Sequence, residues 1–281
     1  MASAELSAEL EQSRDLVAAS VQAQAAQVGV WQEHGGMGWW LSGLPAMAAN
    51  LVVACDPGAS DRQIGALARW MARRPAPAGW LLWPDQQPSR QQRLLEGCGF
   101  RPCERLWLAS VACRDGDLEP GLWSPSTHEV EPGSSRQLIA ADRAAYGSLL
   151  QACHGIPASL AAVVAQAFVS ERFSPMGQAS VRLQTLAFDR RGALLAAITA
   201  AMVSRPAAPP LGGLLWLGTH PSCRRHGLGR LVTAAACRWL AGCGVARIHV
   251  QASDAAVTLY RSLGFAEDGW LELWGCPPFR P

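Results

Sequence analysis

The sequence contains no lysine: all 24 of its basic side chains are Arg. A Schiff-base lysine is therefore excluded, as are lysine contacts to phosphate or nucleic acid. Asn occurs once, as Asn50, and Tyr only as Tyr146 and Tyr260, against 12 Trp and a heavy load of Ala and Gly. A GC-rich coding sequence produces such an alphabet, so the missing lysine is read as genomic bias. Charged residues make up 16%, where about a quarter is usual. With 49% hydrophobic residues the chain can bury a core and is not disordered overall. The net charge of +2 comes from scattered Arg with no basic stripe, so no nucleic-acid partner is expected. The nine Cys are odd in number and contain no C-x-x-C pair, which indicates neither a disulfide framework nor a zinc knuckle and points to a reducing cytoplasm. The polar, acidic start MASAELSAELEQ does not read as a secretory signal. The longest apolar run, Ala193 to Val203, is too short to cross a membrane.

At 281 residues, two modest domains fit the length. Residues 6–28 read as an Ala-rich helix broken by His34-Gly35-Gly36. A strand at 51–55, a helix at 61–73, a strand at 80–83, a helix at 90–96 and a strand at 105–111 follow. The Pro- and Gly-rich stretch from Arg114 to Ser135 is the expected linker. Beyond it the pattern gives helices at 135–147 and 157–169, and strands at 181–188 and 193–203 joined by the turn Asp189-Arg190-Arg191-Gly192. A strand at 214–218, a helix at 225–241, a strand at 248–250, a helix at 254–263 closed by Gly264, and a last strand at 270–274 complete the chain. The fold class is α/β.

The most informative segment runs from Leu217 to Arg230, a strand, a turn at Pro221, then R-x-x-G-x-G from Arg224 to Gly229 at a helix start. Glycines there admit a ligand close to the backbone, and the free N–H groups and dipole of a helix N-terminus suit a pyrophosphate. Tyr260 follows Gly229 by 31 residues, inside Ala256-Val257-Thr258-Leu259-Tyr260-Arg261-Ser262-Leu263-Gly264-Phe265.

These two segments at this separation resemble the GNAT family of N-acetyltransferases, over roughly Thr127 to Trp274. The resemblance implies a splayed, mixed and mostly antiparallel sheet flanked by helices, with acetyl-CoA as co-substrate in the gap between two strands, and no metal. It implies that Leu217, Gly218 and Thr219 offer backbone groups to the pantetheine arm. Arg225, His226, Gly227, Leu228, Gly229 and Arg230 would wrap the pyrophosphate, with Arg224 opening the motif. Tyr260 would be the general acid that protonates the departing thiolate; a phenol, with a reference pKa of about 10, carries a proton at neutral pH.

Two positions depart from the pattern. Ser253 stands where an Asn often touches the cofactor. The strand Leu214 to Gly218 carries no carboxylate, so the general base is unassigned among Glu129, Glu131, His220, His249 and Glu272. Tyr146, His154 and Glu272 are candidates for touching the acceptor.

Placing Pro57 on Pro221 aligns residues 57–65 with 221–229 without a gap, and Leu95 to Phe100 with Tyr260 to Phe265. The first half thus reads as a degenerate copy of the same unit. Asp61 stands at the position of Arg225, Gln63 at Gly227 and Leu95 at Tyr260, so this copy lacks the residues the chemistry needs. Trp31, Trp39 and Trp40 either shape an acceptor pocket or pack in its core. The expected domains are a degenerate GNAT-like domain at 1–118, a linker at 119–134, and a complete acetyl-CoA-binding domain at 135–281 that also takes in a strand at 127–131. The expected activity is acetyl transfer to a primary amine of a small molecule or peptide, by a cytoplasmic monomer or homodimer that contacts neither nucleic acid nor membrane. A non-catalytic acyl-CoA-binding regulator and a mycothiol-synthase-like tandem acetyltransferase are the alternatives.

Overall fold

The structure is a computed structural model that describes residues 2–56, 58–85, 88–113, 134–169, 174–176, 179–206 and 208–278. The expected linker up to residue 133, the strand at 127–131, Glu129, Glu131 and Pro57 lie outside the described residues. In chain order the elements of the first half are α1 (Ala2–Ala25), β1 (Val30–His34), β2 (Met37–Leu41), β3 (Asn50–Cys55), α2 (Asp61–Ala72), β4 (Ala78–Leu82), α3 (Pro88–Gly97) and β5 (Arg101–Ala112). Then come β6 (Ser134–Gln137), α4 (Arg143–His154), α5 (Ala158–Phe168), β7 (Ser174–Met176), β8 (Ala179–Arg190), β9 (Ala193–Arg205), β10 (Ala208–Thr219), α6 (Leu228–Gly242), β11 (Arg247–Ala252), α7 (Asp254–Arg261) and β12 (Ala266–Cys276). Two compact units result, Met1–Leu108 with Asp268–Pro281, and Ala109–Glu267.

In the first unit the strands lie in the order β1-β2-β3-β4-β12-β5. The expected boundaries put the end of the chain in the second domain; it lies in the first unit instead. Glu272 to Cys276 pair antiparallel with Leu82 to Ala78, and this ladder satisfies the edge groups of β4. β3 and β4 run parallel, Leu51 beside Gly79. Helix α2 turns Ile64, Leu67, Ala68 and Met71 inward at helical spacing, onto Trp39, Val52, Trp80, Leu95 and Phe100.

The expectation missed the hairpin of β1 and β2. Gly35 and Gly36, read there as a helix breaker, are its two turn residues at φ of 57° and 74°, the twist that a two-residue hairpin requires. Trp39 and Trp40 are 8% and 0% exposed, and the Trp40 indole donates to Val28 O at 2.9 Å. These two are packing residues. Trp31 keeps more exposure and donates to Glu33 at 2.7 Å.

In the second unit the order is β11-β10-β9-β8-β6, with β7 beside β8. All pairs are antiparallel except β10 and β11, which run parallel. The turn Asp189 to Gly192 joins β8 to β9 as expected, with Arg191 and Gly192 at φ of 54° and 80°. The expected helix at 135–147 is corrected at its start: Ser134 to Gln137 form β6 against β8. Asp142 receives Arg136 and the Ile139 N–H there, so the helix begins only at Arg143. The succession β3-α2-β4-α3 in the first half recurs as β10-α6-β11-α7 in the second, each around a parallel strand pair.

Candidate active site

Strand β10 decides the geometry. It pairs with β11 only at Gly212, Gly213 and Leu214, facing Ile248, His249 and Val250. Beyond Leu214 a one-residue bulge against β9 spans Leu215 to Gly218, with Trp216 at a φ of 53°. A non-glycine residue at positive φ is uncommon and costs about 1 kcal/mol or more. The bulge twists the strand, and Leu217, Gly218 and Thr219 lie past its last pairing with β11.

His220 leads into a 3-10 turn at Pro221–Cys223. Arg225 at φ 67° and Gly227 at φ 77° then turn the chain into α6. Gly227 caps that helix with no side-chain hydrogen bond, and the first turn has no acidic residue. Arg224, Arg225, His226 and Gly227 are exposed. A helix start of this kind leaves its first N–H groups open at the positive end of the dipole, which fits the diphosphate of a CoA molecule. The copy in the first unit is closed. There Ser60 and Gln63 form a capping box, Asp61 holds Arg90 at 2.5 Å, and Leu95 is fully buried.

The structure brings the two motif segments together. A side chain at Gly229 would stand 3.2 Å from Thr219 Oγ1 and 3.6 Å from Leu259 Cδ2, so the turn of α7 that carries Tyr260 lies against the start of α6. Arg230 donates to Ser262 O and Oγ at 3.2 and 2.9 Å. Tyr260 is 3% exposed and packs edge-on against Phe265 at 5.2 Å. Burial, and then the nearby Cys237, push its phenol above the ordinary range, so it keeps its proton. Ser253 caps α7 without a side-chain bond and is exposed.

The remaining candidates divide. Tyr146 is fully buried and meets Thr199 at 3.2 Å, in a hydroxyl chain that continues to Thr185 at 2.8 Å. It is a core residue, which corrects its expected contact with the acceptor. His249 is 1% exposed on β11, and burial, with Arg247, lowers its pKa to about 4. His220 bonds Ser222 at 2.8 Å. Glu272, in the first unit, accepts from Gln92 and Trp274 at 2.9 and 3.0 Å. His154, at the end of α4, stacks edge-on against Trp216 at 5.4 Å. Among the described residues no group of three or more His, Cys, Asp or Glu could hold a metal ion. No helix among them is long and apolar enough to cross a membrane.

The second unit is thus a mixed α/β domain with a splayed parallel pair, a bulged strand and an uncapped helix start. Residues 166–265, inside the second unit, match the family model described as acetyltransferase (GNAT) family. A GCN5-related N-acetyltransferase from Kribbella flavida is similar in fold, with a TM-score of 0.55 at 18% identity over 93% of this chain and 94% of that one. A conserved protein of unknown function from Staphylococcus epidermidis ATCC 12228 gives 0.59 at 12% identity, over 89% and 95%. A tandem GNAT protein from the clavulanic acid biosynthesis pathway gives 0.54 at 16%, over 89% and 82%. No curated protein matches the chain.

Proposed function

We infer that the second unit moves an acetyl group from acetyl-CoA to a primary amine of a small molecule or peptide. The observation that carries this reading is the open start of α6 beside the bulged end of β10, with α7 packed against both. The N–H groups of residues 225–230 bind the pyrophosphate. The backbone of Leu217, Gly218 and Thr219 receives the pantetheine arm, and Ser253 lies at its side. The Tyr260 hydroxyl gives its proton to the thiolate sulfur as the carbon–sulfur bond breaks. All nine cysteines are free thiols, which supports a reducing compartment, the cytoplasm. The first unit, with its closed helix start, turns nothing over.

The test is CoA release from acetyl-CoA over amino acids, polyamines, aminoglycosides and peptides, with Tyr260→Phe measured beside the wild type. General acid catalysis contributes about 10²- to 10⁴-fold, so the variant should lose at least about 10²-fold in kcat at unchanged melting temperature. Unchanged turnover removes Tyr260 from the chemistry. The absence of a carboxylate from β10 favours a second reading, a regulator that binds acyl-CoA without turnover. Tight CoA binding with no acetyl transfer to any amine would establish it.

A further inference from the structure

We propose that His154 is the base that takes a proton from the attacking amine, the role for which β10 offers no carboxylate. This inference rests on the acetyl-transfer reading above.

His154 is the last residue of α4, and Gly155, left-handed at φ 64°, ends the helix directly behind it. The imidazole is thereby laid over the bulge of β10. Its ring stands perpendicular to Trp216 at 5.4 Å, and a Cβ built on Gly218 would lie 3.6 Å from its Nε2. The same Cβ would press on Cys153 at 3.1 and 3.2 Å. Any side chain at 218 would make Cys153 give by a few tenths of an ångström, and with glycine there no side chain of residue 218 stands between Nε2 and the strand. The segment under the ring lies beyond the last pairing of β10 with β11, where the proposed thioester runs.

The surroundings of the ring suit a base. Arg224 donates to Thr219 O at 3.3 Å and hydrogen-bonds the Cys153 thiol, whose own pKa burial raises. Burial first, and the Arg224 cation second, lower the His154 pKa below the usual 6.5. The ring is therefore neutral at pH 7, with a lone pair to offer. Arg224 from the loop and Cys153 from α4 are the titratable groups that face it, and Trp216 covers it from β10. The residue as a whole stays exposed, so the proton has a way out to water.

An ammonium loses two protons on becoming an amide. Nε2 takes the first and passes it to water, which frees the nitrogen lone pair to attack the acetyl carbon. The carbon–nitrogen bond forms, and the carbon–sulfur pair leaves with sulfur. The second proton leaves the nitrogen as the adduct collapses and balances the one that Tyr260 delivers to the thiolate.

The experiment has two arms on the full chain. In the first, CoA release is followed from pH 5.5 to 9.5 for wild type and His154→Gln, with spermidine, kanamycin and a short peptide as amines. With the amine the wild type prefers, the variant should lose about 10²-fold or more in kcat/KM at pH 7, with the KM for acetyl-CoA unchanged. The acidic limb of the profile, with its midpoint below 6.5, should vanish, and the deficit should narrow at high pH, where the amine is already neutral. Activity within threefold at pH 7, with the acidic limb intact, overturns the proposal. The second arm needs no turnover: the imidazole resonance of His154, one of six histidines, is followed by NMR in the wild type as acetyl-CoA saturates it. A clear shift is expected. Binding that leaves this resonance unmoved overturns the role of His154 and spares the acetyl-CoA reading; no binding at all overturns that reading too.

Discussion

Replacing Asn50, the one asparagine, with Ala should destabilise the first unit by about 3 kcal/mol. Its side chain is 3% exposed at the start of β3. It accepts from the N–H groups of Ser42 and Gly43 at 3.2 and 3.0 Å. It donates to Leu44 O and Ala46 O at 2.8 and 3.0 Å. At about 1 kcal/mol net per bond, the four bonds hold about 4 kcal/mol, and water entering the opened loop returns part of it. Urea unfolding followed by tryptophan fluorescence reads this. Asn50→Asp separates the two halves of the clamp. The carboxylate still accepts from Ser42 and Gly43 but sets an oxygen against two carbonyls, so its pKa in the folded state should rise above the unfolded value of about 3.9. A raised carboxyl pKa means full stability at acid pH, lost as pH climbs through the folded value. If both variants stay within about 0.5 kcal/mol of wild type, or if the Asp variant shows no such pH dependence, the clamp is not what holds the loop.

Two further outcomes follow from the same reasoning. The His249 pKa of about 4 lies below the unfolded value near 6.5, so the unfolded chain binds the extra proton between these values and stability should fall as pH drops through that window. The loss should be on the order of 3 kcal/mol, and His249→Gln should flatten the curve in acid unfolding experiments. Gly229→Val, which would crowd Thr219 and Leu259, should weaken CoA binding by about tenfold or more in calorimetry; an unchanged Kd would place the pyrophosphate elsewhere.

The parts of the site legible in the sequence were those fixed by local chemistry. The glycines of R-x-x-G-x-G marked a helix start open to a ligand, and Asp61 at the matching place marked a copy without the residues for it; the expected start at Arg225 gives way to Leu228, because Gly227 turns left-handed as the cap. What was not legible depends on distant partners. Trp216 takes positive φ because β9 and β10 slip by one residue, and nothing in its neighbours in sequence marks that. The end of the chain lies in the first unit because β4 needs a partner, and the local alternation of Trp270 to Trp274 is the same in either place. Asn50 had no reading until four loop groups converged on it. His154 is an ordinary helix end until Gly218 is seen beneath it. The first hairpin was within reach, since Gly35-Gly36 between two tryptophan-bearing runs is a turn signal, but its glycines also end helices.

If the α6 N-terminus, and not its closed counterpart at α2, receives the pyrophosphate of acetyl-CoA, backbone amide shifts on titration with acetyl-CoA will report it. The largest changes are expected at His226, Gly227, Leu228, Gly229 and Arg230, with Ser60 to Gln63 unmoved. Changes centred on Ser60 to Gln63, or saturation with residues 226–230 unmoved, would place the pyrophosphate away from α6.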